Sequence, residues 1–321
     1  MTMLSLPPFG ADRSMWIPAV PPSWQSYLDL TLHPLPVLPV IGALAGGLYL
    51  AGALRLWRAD RRWSPWATLS FLSGCAVLVI VMSGNVEGYG TRMFSVFMFQ
   101  QLTLMMAVPP LLVLGRPGTL LLRATPHHRL GRVVLVGARG ALRSGVGAVI
   151  LHPALMIPLF LLCFYGLYFS DLATMLLRTT QGHIGLELLF LVAGILFTVP
   201  ILSEDPLPHS HSNLGRAAHL LIEMPTHAFF GVILMMSKYP MVEAFTDPPA
   251  SWGVDVLDDQ QLAGALAWSY GELPGLVMLL ILASRWFKDE NRQMAKLDQD
   301  ESSSHELDDY NRYLRSLDAK H

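Results

Sequence analysis

Charge is scarce in this chain. Asp, Glu, Lys and Arg make up 14% of its 321 residues, against about 25% in soluble domains. The 22 basic and 24 acidic residues leave a net charge of −2. The concentrated positive charge that phosphate binding requires is missing, which argues against a nucleic-acid partner. Cysteine is nearly absent as well. Cys75 and Cys163 each lie inside an apolar run and neither forms a C-x-x-C. That pattern argues against a disulfide scaffold, a thiolate zinc site or a thiol-exchange centre, and both read as small buried hydrophobes. No nucleophile–base pair, nucleotide loop or H-E-x-x-H stretch stands out, so no enzyme is expected.

What the chain has in abundance is apolar length. Hydrophobic residues are 52% of the total, and a spanning helix needs about 20 of them in succession. Seven windows meet or nearly meet that length: Leu35–Trp57, Pro65–Met82, Phe94–Leu114, Val149–Tyr168, His183–Leu202, Leu214–Met236 and Leu262–Ser284. The first reads as a span and not as a cleaved signal, because no basic segment precedes it and its apolar stretch is too long. With the N-terminus outside, 18 of the 22 Lys and Arg residues fall on the inner face, leaving Arg13, Arg92, Arg178 and Lys238 outside. Inner basic loops are the expected bias. The expected fold is therefore an all-α polytopic membrane bundle of about seven transmembrane helices, N-out and C-in. A reporter fused after Arg285 is predicted to be cytoplasmic and one in the Asp247–Asp259 loop external; finding both on one side refutes the seven-helix reading, since one span separates them.

Residues 1–34 read as a Pro-rich outer-face segment, 35–284 as the transmembrane domain and 285–321 as a charged cytoplasmic tail, partly helical or disordered. Within the domain, 118–147 mixes Leu and Val with arginines and is expected to lie along the inner interface. Pro109 and Pro110 should bend or end the third helix. Gly42, Gly46 and Gly47 have the small-residue spacing that lets a neighbouring helix approach closely.

Polar groups at membrane depth cost free energy unless paired or wet, so they are the place to look for function. In the sixth window His219, Glu223 and His227 recur at i, i+4 and i+8, stacked on one face. The fifth carries His183 and Glu187 at i, i+4 in its outer half. Glu272 sits near the middle of the seventh, at the depth of Glu223 and His227. The third carries Gln100 and Gln101, with Met98, Gln101 and Met105 sharing a face. Imidazole and thioether suit copper, whereas carboxylates suit harder ions or carry protons. The candidate metal ligands are His227, His183, His219 and Met105; the candidate intramembrane polar network is Glu187, Glu223, Glu272, Gln100 and Gln101. The same groups could instead hydrogen-bond one another simply to hold helices together. His127, His128, His209, His211, His305 and His321 fall in loops or the tail and read as solvated.

The run QQLTLMMAVPPLLVLGRPGTLLLRATP (Gln100–Pro126) resembles the hallmark of the CtaG family of cytochrome c oxidase assembly factors. HPALMIPLF (His152–Phe160), LLFLVAGILFTVPILSEDPLP (Leu188–Pro208), EMPTHAFFGVILM (Glu223–Met235) and DDQQLAGALAW (Asp258–Trp268) extend the likeness over most of residues 35–290. EMPTHAFFGVILM is similar to the actinobacterial-like branch. The resemblance implies a multi-pass plasma-membrane protein that helps mature a haem-copper oxidase, partnered with an oxidase subunit and the lipid bilayer, and assisting copper delivery or insertion. Many members carry two His at i, i+4 in the third helix, where this chain has Phe97 and Gln101; a further His of the fourth helix is replaced within Tyr168–Ser170. His227 matches a family His, and His183 aligns with another. Two other readings stand beside this one. The chain could be a copper or proton-coupled transporter with Glu223 and Glu272 as proton carriers, or a metal-free scaffold for an oxidase subunit.

Overall fold

The computed structural model describes residues 17–29, 35–126, 149–205 and 212–318, with four single positions between 132 and 140. Every regular element among them is helical. In order they are α1 (Trp24–Tyr27), α2 (Val37–Arg58), α3 (Pro65–Val81), α4 (Gly84–Gly90), α5 (Phe94–Leu102), a π-helical turn (Thr103–Ala107), α6 (Val108–Leu114) and α7 (Pro117–Ala124). After the gap come α8 (Pro153–Leu161), a second π turn (Leu162–Gly166), α9 (Leu172–Leu177), α10 (Thr180–Leu202), α11 (Asn213–Met236), two 3-10 turns (Glu243–Phe245 and Ala250–Trp252), α12 (Val256–Ser269) and α13 (Glu272–Asp318). Most of 1–34, and of 118–147 beyond α7, lies outside the described residues. Residues 279–321 form a second compact unit, and within it the charged tail is helical as far as Asp318.

The all-α membrane-bundle class is what the structure shows, with five to six candidate spans among the described residues against the seven windows. Among the described residues, five helical stretches are long and apolar enough to cross a bilayer: Val37–Arg58, Phe94–Ala124, Thr180–Leu202, Asn213–Met236 and Val256–Gln299. A sixth arises if α3 and α4 are taken together, although they are bent by 61°. The reason is local. The 17 residues of α3 reach only about 26 Å at 1.5 Å per residue, short of the roughly 30 Å hydrocarbon core. The chain then breaks at Ser83, whose backbone is extended. Gly84 follows with φ +69°, a conformation open to glycine at little cost. The fourth window forms only a shorter apolar helix, Leu155–Gly166.

Pro109 and Pro110 do not end their helix. Lacking N–H groups, they cannot bond the carbonyls of Met105 and Met106, and the widened turn Thr103–Ala107 takes up the mismatch before α6 resumes. Gly42 and Gly46 do face α3: an added Cβ would lie 3.1 Å from Val79 and 3.4 Å from Cys75, while Gly47 looks into open space.

Polar bonds between loops fix which helix ends lie together. Asp259 at the start of α12 caps α5, accepting from the Phe94 N–H at 2.5 Å and from the Ser95 hydroxyl. At the opposite ends, Asp205 accepts from Gly118 N–H at 3.0 Å and Thr119 N–H at 2.7 Å, capping α7, and Arg116 pairs with Glu204. Carboxylates at helix N-termini satisfy orphan N–H groups and oppose the positive end of the dipole. Each bridge joins segments that the alternation of the seven apolar windows puts on one face; which face is inside comes from the basic-residue split alone.

The packing is apolar on both sides, with the polar groups drawn inward. On α11, Leu221, Ile222 and Phe229 are exposed, whereas His219, Glu223 and His227 are buried. A soluble bundle shows the reverse.

Candidate functional site

Two histidine–carboxylate clusters occupy the interior. The first is built on α11. Its four-residue spacing carries His219, Glu223 and His227 up one face, and that face is the buried one. His227 is fully buried. Its Nδ1 lies 3.3 Å from Glu223 Oε1 and 3.2 Å from the Glu223 carbonyl oxygen. Its Nε2 lies 3.7 Å from Glu272 Oε1 at the start of α13. The imidazole thus sits between two carboxylates from two helices. Gly271 makes this possible: a Cβ there would fall 2.8 Å from His227 Cδ2, so only a bare backbone brings Glu272 up to the ring. Pro225 leaves α11 unbroken between Asn213 and Met236. His219, one turn below Glu223, meets the Phe197 ring edge-on at 4.7 Å.

The second cluster lies near the outer ends of the helices. His183 and Glu187 project from consecutive turns of α10, and Glu87 reaches them from α4. His183 Nε2 is 3.0 Å from Glu187 Oε1 and 3.3 Å from Glu87 Oε1. Among the described residues this is the one group of three or more His, Cys, Asp or Glu whose ligand atoms all lie within 4.8 Å of one another. Gln100 holds the far side of Glu87, donating from Nε2 to Oε2 at 2.7 Å.

Sequence reasoning missed Glu87 because it falls between two apolar windows, where an outer loop is the default. The available signal was a lone acid among three glycines in GNVEGYG, a stretch too short and too small-sided to read as a helix by itself. Gly271 was also missed, since a helix-end glycine shows its use only when a neighbour is seen against it.

The glutamines divide. Gln100 belongs to the outer cluster. Gln101 faces elsewhere, donating to the Cys163 carbonyl at 3.1 Å and to Met105 Sδ at 3.7 Å, and accepting from the Tyr168 hydroxyl. Phe97 packs 5.6 Å from the His183 ring. The positions where the resemblance implies His are therefore filled by an aromatic ring and by a glutamine–tyrosine pair that satisfy one another.

Fold and interior together define the class: a polytopic all-helical membrane protein that gathers imidazoles and carboxylates inside its bundle. The family follows from sequence comparison. The model of the cytochrome c oxidase caa3 assembly factors (Caa3_CtaG) matches residues 47–289, and the chain belongs to that family. It is 36% identical over 286 residues to an uncharacterised protein of Mycobacterium leprae, covering 87% of this chain and 43% of that one. It is also 36% identical over 277 residues to uncharacterised proteins of Mycobacterium bovis and Mycobacterium tuberculosis, covering 84% of this chain and 42% of each. The chain thus spans less than half the length of these relatives. No solved structure matches it.

Proposed function

We propose that this chain works in the plasma membrane as a non-catalytic assembly factor for a haem-copper cytochrome c oxidase, holding copper as cargo on intramembrane imidazoles and passing it to an oxidase subunit by ligand exchange. The observation that carries the reading is the family match over residues 47–289, which takes in both buried clusters. The α11 face supports the cargo role. It offers imidazole, carboxylate and imidazole at successive turns, from His219 near the inner end to His227 deeper in the bundle. Imidazole nitrogen suits copper, and ligands one turn apart allow stepwise exchange. His183 and Met105 are engaged elsewhere, in the outer cluster and against the Gln101 amide, and the reading uses neither.

Deleting the gene is expected to lower haem-copper oxidase activity sharply while the oxidase genes are still transcribed, with partial recovery on added copper. Oxidase activity and copper content of isolated membranes check this. Normal oxidase activity with altered cellular copper would replace the assembly reading by the transporter.

A further inference from the structure

The outer cluster has the form of an ion site. Three donors converge from two separate helices: one imidazole nitrogen and two carboxylate oxygens, none of them soft. Around a tetrahedral ion with ligands at about 2.0 Å, neighbouring donors stand about 3.3 Å apart. The His183 Nε2 distances of 3.0 and 3.3 Å to the two Glu oxygens match that edge length.

These contacts are short, yet poorly directed for hydrogen bonding. His183 Nε2 and Glu187 Oε1 have no hydrogen-bond partner among the described residues despite lying 3.0 Å apart. The ring N–H direction satisfies neither carboxylate, which is what donors aimed at a shared point, and not at each other, would give. Both side chains are more than nine-tenths buried. Two carboxylates and one imidazole carry excess negative charge unless a proton or a cation is present, and burial makes that excess costly.

The surroundings fit as well. Gln100 fixes the Oε2 side of Glu87 at 2.7 Å and leaves Oε1 turned to the cluster, the orienting role that outer-shell partners play for ligating carboxylates. A recess lined by Leu38, Met82, Thr91, Thr180 and Ile184 leads to the trio. These residues come from the outer ends of their helices, so the approach is from the outer face. Three protein donors leave a fourth position open to water or to an incoming group.

We infer that Glu87, His183 and Glu187 form a binding site for a divalent first-row transition-metal ion such as zinc, held by one nitrogen and two oxygens and reached from the outer face. The inference rests on the geometry of this cluster and stands apart from the copper reading, which uses the α11 face.

The test is titration of the detergent-purified full-length protein with Zn(II) by calorimetry and with Co(II) by visible absorption. One ion per chain is expected, with the intense visible bands of four-coordinate cobalt. Glu187→Gln and His183→Gln should each weaken binding at least about 100-fold, and Gln100→Ala about tenfold through loss of the orienting bond. Glu290→Gln, at an exposed carboxylate of the α13 tail, should bind as wild type does. Helicity and elution volume of each variant show that it is folded; should Glu187→Gln fail there, Glu87→Gln removes a donor from a different helix. Folded wild-type protein that binds neither ion overturns the proposal, whatever the variants do. So does binding that survives Glu187→Gln or that disappears with Glu290→Gln. A deletion strain with normal oxidase activity would sink the assembly role and leave this site standing.

Discussion

His227→Ala is expected to abolish oxidase maturation while the protein persists in the membrane near its wild-type level. The ring is fully buried and lies between Glu223 at 3.3 Å and Glu272 at 3.7 Å. It therefore bridges the carboxylates of α11 and α13. Removing it strands buried carboxylate oxygens, at roughly 1–3 kcal/mol. One feature limits that cost: the Glu272 side chain is 33% exposed, so water reaches it. Glu223→Gln keeps the shape and removes the charge, and the same loss of maturation is expected. Abundance and oxidase activity must be read on the same membranes. Loss of the protein together with the activity would mean that the cluster is only helix glue; full abundance with full activity would remove His227 from any role.

The second large effect is structural. Gly231→Leu is expected to deplete the protein from the membrane. The α11 and α12 backbones touch here: a Cβ on Gly231 would stand 2.6 Å from the Gly264 carbonyl oxygen and 2.8 Å from the Trp268 nitrogen. Gly264 meets Gly231 in the same way, with a Cβ 2.6 Å from its carbonyl oxygen. These neighbours are backbone and cannot swing aside, so a side chain must push the two helices apart. Small residues at such crossings are how membrane helices gain packing without a hydrophobic driving force. Overpacking costs about 1–3 kcal/mol, a factor of roughly 5 to 160 in the folded-to-unfolded ratio. Gly47→Leu is the control, since nothing lies within 4 Å of an added Cβ there. Immunoblotting of membranes and melting temperature in detergent report both. Equal abundance of the two variants would show that the close approach is dispensable.

Much of the molecule is legible in its amino-acid sequence. The apolar windows mark the helices because bilayer thickness imposes a length that composition records directly. Among the described residues five of those windows correspond to full-length spans; the second ends after 17 residues at a glycine bend and the fourth forms the shorter helix Leu155–Gly166, differences that a window average smooths over. The shared face of His219, Glu223 and His227 is legible because helical periodicity is a property of one stretch of chain. The nearness of His227 to Glu272 could be argued from matching depth alone.

Other features lie beyond sequence reasoning. Nothing local says that Glu87 turns inward to meet His183 across about a hundred residues, or that Gln100 joins that cluster while Gln101, its immediate neighbour, pairs with Tyr168. Adjacent residues on a helix point about 100° apart, and only the packing decides what each direction meets. The family motifs show the same division. The aspartates of SEDP and DDQQ read as turn and helix-start residues, but the structure sends each to cap a helix some 87 or 165 residues away. By itself the sequence determined the helical membrane class, the inner bias of its basic residues and which faces carry the polar groups, because those depend on solvent and on local periodicity. Which polar groups meet, and so what chemistry the interior can host, was decided only by tertiary packing, because a bare backbone at Gly271 or a bend at Gly84 acts on partners far away in the chain.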